Sequence, residues 1–358
     1  MRRLGGTVPY HRSVPDSDTI DRRRPHPTEP RIVSAWRLLT GGRRVRDPAR
    51  RTLVACSGGA DSSALALVLG RSAPGSVVLA HILHDLRPAA EAAADRDAAA
   101  SLAARLGVPF AERAVTVLAV AGNAEAAARR ARYAALEGIA GEHRCRFVAT
   151  AHHGDDLVET VLMRLMRGAG PGGLAGLRPS RPLSTGSGVH LVRPMLGVTH
   201  ADARGICAAA GWTWAVDRTN ADLTRLRAAL RADVLPRLRA LSPQLHLRVG
   251  AASELLAETE ALARPLRAAL LARADRRDGE LAWRRTDLRE EPAVIVGAVL
   301  RAAAAELVGD RGQDRLGARV VRTAVRAVLD AETHPRRFAW PGIDLLVDAH
   351  AVTLVRLG

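Results

Sequence analysis

Between residues 52 and 167, short apolar runs alternate with longer alanine- and leucine-rich stretches, and this alternation limits the fold more than any other feature. Thr52–Cys56, Val77–Ile82, the core of Pro109–Val117 and Arg146–Ala151 read as strands. Asp61–Leu69, Ala89–Leu106, Asn123–Gly138 and Asp155–Arg167 read as helices, with Asn123 a plausible N-cap. Ile32–Leu39 adds a helix in front, and His190–Pro194 and Ala201–Ala210 add a strand and a helix behind. Strands that alternate with helices predict an α/β chain with a parallel sheet and helices on both faces. In such sheets ligands sit outside the carboxyl ends of the strands. The residues that directly follow each apolar run are therefore the ones to read for chemistry.

After the first strand comes Ser57-Gly58-Gly59-Ala60-Asp61-Ser62, then a helix. Glycines let the backbone turn tightly and approach a ligand closely. The free N–H groups and dipole of the new helix favour an anion in the turn. The turn is thus a phosphate cradle, but not of the Walker kind, which ends in Gly-Lys-Ser/Thr. The chain contains no lysine at all.

Other strand ends are also polar. The second leads into His81-Ile82-Leu83-His84-Asp85-Leu86-Arg87, whose imidazoles and guanidinium suit phosphate or base. The helix after Asn123 carries Glu125, Arg129, Arg130, Arg132 and Tyr133, either a salt-bridged face or arginines aimed at a polyanion. The densest cluster is Thr150-Ala151-His152-His153-Gly154-Asp155-Asp156-Leu157-Val158-Glu159-Thr160. Asp155 or Asp156 can cap the helix that opens there, and Glu159, one turn beyond Asp155, shares its face. Capping accounts for one carboxylate. The whole set suits a divalent ion or proton transfer. Arg167 and the glycine-rich run Gly168–Leu177 follow. The stretch Gly168–Gly188 is expected to be a mobile functional loop without elements of its own.

Past Asp217–Thr224 the alternation stops. Leu226–Leu241, Gln244–Ala274 (kinked or divided at Pro265), Glu291–Leu307 and Asp314–Asp330 read as helices. Arg337–Trp340, Asp344–Val347 and Val352–Val355 read as a strand meander. Arg225, Arg227 and Arg231 suit contact with a phosphate backbone. At 358 residues the chain has room for about two domains. Aromatics make up only 3%, so the cores must be built from Ala, Leu and Val. The net charge of +16 makes nucleic acid a natural partner. No apolar stretch suits a membrane span or a secretory signal. Cys56, Cys145 and Cys207 form no Cys-x-x-Cys pair, which argues against a structural zinc or a cysteine-held cluster and fits a cytoplasmic location.

Taken in order over Arg51–Pro236, these segments resemble the tRNA(Ile)-lysidine synthetases, N-type ATP pyrophosphatases of the PP-loop superfamily. The pairing of the Ser-Gly-Gly loop with His-His-x-Asp-Asp-x-x-Glu-Thr and Arg-Gly-x-Gly-x-x-Gly-Leu-x-Gly makes the resemblance specific. It implies a Rossmann-like sheet of the adenine nucleotide alpha hydrolase type, followed by a smaller, mostly helical domain. The implied division is 1–31 as a disordered arm, 32–241 as the PP-loop catalytic domain and 242–358 as a helical tRNA-binding domain. The implied reaction uses ATP and Mg2+ to join free L-lysine to the wobble cytidine of the CAU-anticodon isoleucine tRNA. Ser57, Gly58, Gly59, Ala60, Asp61 and Ser62 would hold the nucleotide. Asp61 would position the metal or the nucleotide. Asp155, Asp156 and Glu159 would hold the lysine ammonium, accept its proton or ligate magnesium. His81, Arg87, Glu125, Arg129, Arg132, His152, Arg167 and Gly168 would contact substrate. A homodimer is left open. The alternatives are a PP-loop tRNA thiolase, which would need a cysteine pair or a cluster, and a non-catalytic RNA-binding relative. Two departures stand out. Arg227-Ala228-Ala229-Leu230-Arg231 lacks the Asn and middle Arg of the family's Arg-Asn-Arg-x-Arg, and a second C-terminal domain is expected to be absent.

Overall fold

The computed structural model describes residues 25–42, 44–85, 89–116, 124–215, 226–309, 316–332 and 334–357. The chain divides into two compact units, one of Met1–Asp156 with Pro179–Asp222 and one of Leu157–Arg178 with Leu223–Gly358.

The first unit holds a six-stranded sheet. Its strands are β1 (Thr52–Ala55), β2 (Val77–His84), β3 (Phe110–Val115), β4 (Phe147–Ala149), β5 (Ser180–Pro182) and β6 (His190–Val192), in the order β3-β2-β1-β4-β6-β5. All neighbours are parallel except β5, which pairs antiparallel to β6 at the edge. The helices of this unit are α1 (Glu29–Leu39), α2 (Ala60–Ser72), α3 (Ala89–Leu106), α4 (Ala124–Glu142) and α7 (His200–Ala209). Helix α5 (Gly154–Met166) begins in the first unit and continues into the second.

Side-chain alternation along the strands explains why both faces are covered. Val54, Val77, Leu79, Ala149 and Val192 join one core with Leu65, Leu69, Leu102 and Ile206 from α2, α3 and α7. Their neighbours Leu53, Val78, Ala80, Val148 and Leu191 join the other core with Leu136 and Ile139 of α4. The strand order reverses between β1 and β4, and a doubly wound sheet binds its ligand at such a point.

The second unit contains the rest of α5 and α6 (Pro171–Leu174), α8 (Leu226–Ala229), a π-helical turn (Leu230–Val234) and α9 (Leu235–Leu241). Helices α10 (Leu245–Ala272), α11 (Arg285–Arg289), α12 (Ala293–Val308) and α13 (Ala318–Leu329) follow. They pack with an antiparallel sheet of order β7-β8-β11-β10-β9, made of Asp275–Arg277, Glu280–Arg284, Ala351–Arg356, Ile343–Val347 and Arg336–Trp340.

Three expectations need correction. Gly168–Gly188 is not structureless: Pro171 starts α6, Arg164 Nη1 donates to the Gly173 carbonyl at 2.5 Å, and β5 closes the first sheet. Pro265 does not divide its helix, because α10 runs unbroken through 28 residues and loses only one backbone donor there. The C-terminal region carries more strand than expected. The hairpin β7–β8 turns at Asp278-Gly279, with Gly279 at φ +70°, and its first strand, Asp-Arg-Arg, is exposed and lacks the apolar alternation that would announce it. Of the arm expected over 1–31, residues 1–24 lie outside the described residues, as do Arg87, Asn123 and Arg225, while Glu29–Arg31 form the first turn of α1.

Candidate active site at the carboxyl ends of β1, β4 and β6

Strand β1 ends at Ala55 and α2 begins at Ala60, so the Ser57–Ser62 loop crosses the mouth of the sheet. Gly58 adopts φ +84°, and a Cβ there would lie 2.9 Å from the Asp95 carbonyl of α3. Only glycine fits both demands. The Ser62 hydroxyl ties the loop together: it accepts from the Ser57 N–H at 3.1 Å and donates to the Gly59 carbonyl at 3.1 Å. Gly59 stands at the N-cap of α2 in extended conformation, and no side chain caps the helix. The first-turn amides are thus left facing the loop, as an oxyanion requires.

Asp61, in the first turn of α2, faces two imidazoles. His200 Nδ1 lies 2.7 Å from Asp61 Oδ1, and His153 Nε2 lies 3.5 Å from Asp61 Oδ2. His153 follows β4. His200 opens α7, which follows β6 and starts with a Thr199/Asp202 capping box. Burial alone would raise the Asp61 carboxyl, but its hydrogen bonds to His153 and His200 and their charge hold it well below the usual carboxylate range. Burial alone would lower the His153 imidazole; Asp61, Asp156 and Asp155 outweigh it and raise it. Both changes favour the charged forms of the pair.

Asp155 and Asp156 lock this group in place. Asp155 Oδ2 accepts the His200 backbone N–H at 2.8 Å and lies 3.7 Å from His153 Nδ1. Asp156 Oδ2 accepts the His153 backbone N–H at 3.1 Å. His152 is half-buried beside Thr150, with its Nδ1 2.9 Å from the hydroxyl.

Glu159, in the second unit, has different partners. It is fully buried, and Arg231 holds it with two hydrogen bonds at 2.7 and 3.0 Å while Arg227 adds a third at 2.7 Å. The two arginines expected to meet a phosphate backbone here hold an internal carboxylate. The four proposed catalytic carboxylates do not share one set of partners.

The remaining candidates separate. His81 is buried, and its Nδ1 lies 2.9 Å from the Cys56 carbonyl, so it braces the loop from beneath; burial pushes its imidazole down, and as the neutral ring it donates that bond. Arg129 is exposed on α4 and stacks on Tyr133 at 5.1 Å, with Arg181 against the same ring at 5.2 Å. Arg132 is exposed on the same helix, and the side chain of Glu125 lies outside the described residues. Arg167 is exposed, and the Gly168 carbonyl accepts the Ala318 N–H at 3.2 Å within the second unit.

Sequence reasoning missed His200. It is a single histidine 139 residues from Asp61. Its signal was the Thr199-x-x-Asp202 capping box directly after a strand, which places a helix start at the carboxyl edge of the sheet.

This fold, with an uncapped glycine-turned helix start at the switch point, defines an ATP-binding protein of the PP-loop class. The PP-loop domain model matches residues 36–238, more than half of the chain. The tRNA(Ile)-lysidine synthase of Methylobacterium nodulans is 40% identical over 260 residues, 72% of this chain and 75% of its own. That of Bordetella pertussis is 44% identical over 210 residues, covering 56% of this chain and 63% of its own. The chain belongs to the tRNA(Ile)-lysidine synthase family. Among solved structures, a U34-tRNA thiolase from Methanococcus maripaludis superposes with a TM-score of 0.51 at 16% identity, over 64% of this chain and 78% of that one, and shares the fold. Among the described residues no helix is long and apolar enough to cross a membrane.

Proposed function

We propose that the chain is an AMP-forming ligase of the cytoplasm that joins free L-lysine to the wobble cytidine of the CAU-anticodon isoleucine tRNA. The observation that carries the reading is the Ser57–Ser62 cradle beside Asp61, within a chain of this family. In the first step the cytosine carbonyl oxygen attacks the α-phosphorus of ATP. The bond to the β-phosphate oxygen breaks, and pyrophosphate leaves with the electron pair. The first-turn amides of α2 and the Ser57 hydroxyl oppose the charge that grows on that leaving group, while Ser62 holds the loop in shape, so no Walker lysine is needed. In the second step the lysine ε-amine attacks the activated carbon, and AMP departs with the former carbonyl oxygen. The ammonium must first shed a proton, and Asp155 and Asp156 supply carboxylates of the required kind beside the loop.

Magnesium bound to the triphosphate would neutralise its charge. Asp61 offers that ion one oxygen, while the donors flanking Asp61 are nitrogens, so the phosphates would be its main ligands. The surplus of 53 basic over 37 acidic residues supports tRNA as the polymeric substrate.

The test is incubation of the protein with radiolabelled lysine, ATP and a CAU-anticodon isoleucine tRNA transcript. Label enters the tRNA, and Asp61→Ala abolishes the transfer. No incorporation, or transfer that survives Asp61→Ala, overturns the reading. In a parallel incubation with a labelled sulfide donor in place of lysine, incorporated sulfur would favour the thiolase alternative.

A further inference from the structure

The donor set around Asp61 points to a second kind of ligand. Asp61, His153 and His200 each offer one atom, and all three lie within 4.8 Å of one another. His200 Nδ1 lies 2.7 Å from Asp61 Oδ1 and His153 Nε2 lies 3.5 Å from Asp61 Oδ2, so the two imidazoles approach the two oxygens of one carboxylate. With bonds of about 2.0–2.1 Å, neighbouring ligands of a tetrahedral or octahedral ion stand about 2.8–3.4 Å apart. A shift of a few tenths of an ångström would seat an ion among them. The three groups enter from the ends of different strands, which fixes them on rigid elements.

Two further features favour a metal over a plain hydrogen-bonded triad. The first is the outer contact. A ligating imidazole is oriented through its second nitrogen, and His153 Nδ1 has the Asp156 backbone N–H at 3.4 Å and Asp155 Oδ2 at 3.7 Å, while that carboxylate also accepts the His200 backbone N–H. The second is graded access: the His153 side chain is 3% exposed, but those of Asp61 and His200 are 32% and 46% exposed. One side of the set is sealed, and the other is open for water or a phosphate oxygen, as in sites that act on a substrate.

We propose that Asp61, His153 and His200 form a facial two-imidazole, one-carboxylate site for a first-row transition-metal divalent ion of the Zn2+, Co2+ or Mn2+ kind. Imidazole nitrogens suit these ions, whereas Mg2+ prefers oxygen throughout. Asp61 belongs to the Ser57–Ser62 cradle, so the ion would take an oxygen of the bound phosphate chain at an open position. That last clause rests on the nucleotide reading above; the ion site itself rests on the geometry alone.

The test uses the full chain stripped with EDTA and titrated with Co2+, followed by visible absorption and equilibrium dialysis, with no tRNA or lysine present. One Co2+ binds per chain with the spectrum of a nitrogen-ligated ion, and equimolar Mg2+ does not displace it. His200→Ala, a half-exposed change whose folding is checked by circular dichroism, weakens binding by at least about tenfold. Asp155→Asn, which acts on the imidazoles from outside, weakens it by about 10- to 100-fold without removing a ligand. His143→Ala, distant from the set, leaves the spectrum intact. No nitrogen-type spectrum, equal binding by His200→Ala, or displacement by equimolar Mg2+ overturns the proposal. A chain that transfers lysine but fails to bind Co2+ keeps the functional reading and loses this one. A chain that binds Co2+ but transfers no lysine does the reverse.

Discussion

Two carboxylate centres, one open on one side and one fully buried, draw on the same short motif, His152–Thr160, and are neutralised in opposite ways. In the first unit Asp61, Asp155 and Asp156 gather around His153 and His200. Imidazoles can gain or lose a proton near neutrality and can ligate metals. In the second unit Glu159 meets Arg227 and Arg231, which stay charged and can do neither. The first centre is built to exchange what it holds, whereas the second is built to keep it. Residues only a few positions apart in sequence thus need not serve one site.

The largest effect should come from breaking the permanent centre. Arg227→Ala with Arg231→Ala strands a fully buried carboxylate and should cost about 3–5 kcal/mol of stability, read by urea unfolding. A loss under about 1 kcal/mol would place Glu159 with the exchangeable group instead. At the other centre, Asp61→Asn keeps shape and removes charge. Lysine transfer should fall by about 100-fold or more while the unfolding midpoint moves little. Should stability fall and activity persist, the two centres would have to swap roles. Gly58→Ala tests the loop that carries Asp61: its φ of +84° and the 2.9 Å approach to the Asp95 carbonyl predict a stability loss of about 1–2 kcal/mol together with weakened ATP binding, measured by calorimetry. The smallest effect concerns reactivity. Cys56 and Cys207 are buried, and burial pushes the Cys207 thiol up to about 12, so both remain protonated at neutral pH. Neither should react with a disulfide reagent until the protein is unfolded. Fast labelling of Cys207 in the native state would mean the base of the Asp61 centre opens.

Much of the fold was legible because the first unit obeys local rules. The apolar runs set β1, β2 and β4, and Ala89–Leu106 is helical over the expected residues. The Ser57–Ser62 loop was legible for the same reason, since its turn, its helix start and its hydroxyl all lie within a few residues. What stayed hidden depended on distance. His200 joins Asp61 only because β6 pairs with β4 and carries α7 to the same edge. The partners of Glu159 come from 68 and 72 residues further along. The β7–β8 hairpin escaped because an exposed Asp-Arg-Arg strand draws its structure from its neighbour rather than from its own pattern.

The most direct measurement follows where ATP is cut. With ATP labelled at the α- or the γ-phosphate, complete reactions should release AMP and pyrophosphate, one of each for every lysine joined to the tRNA. Release of ADP and inorganic phosphate, or lysine transfer without AMP, would contradict the assignment of the Ser57–Ser62 loop as a pyrophosphate cradle.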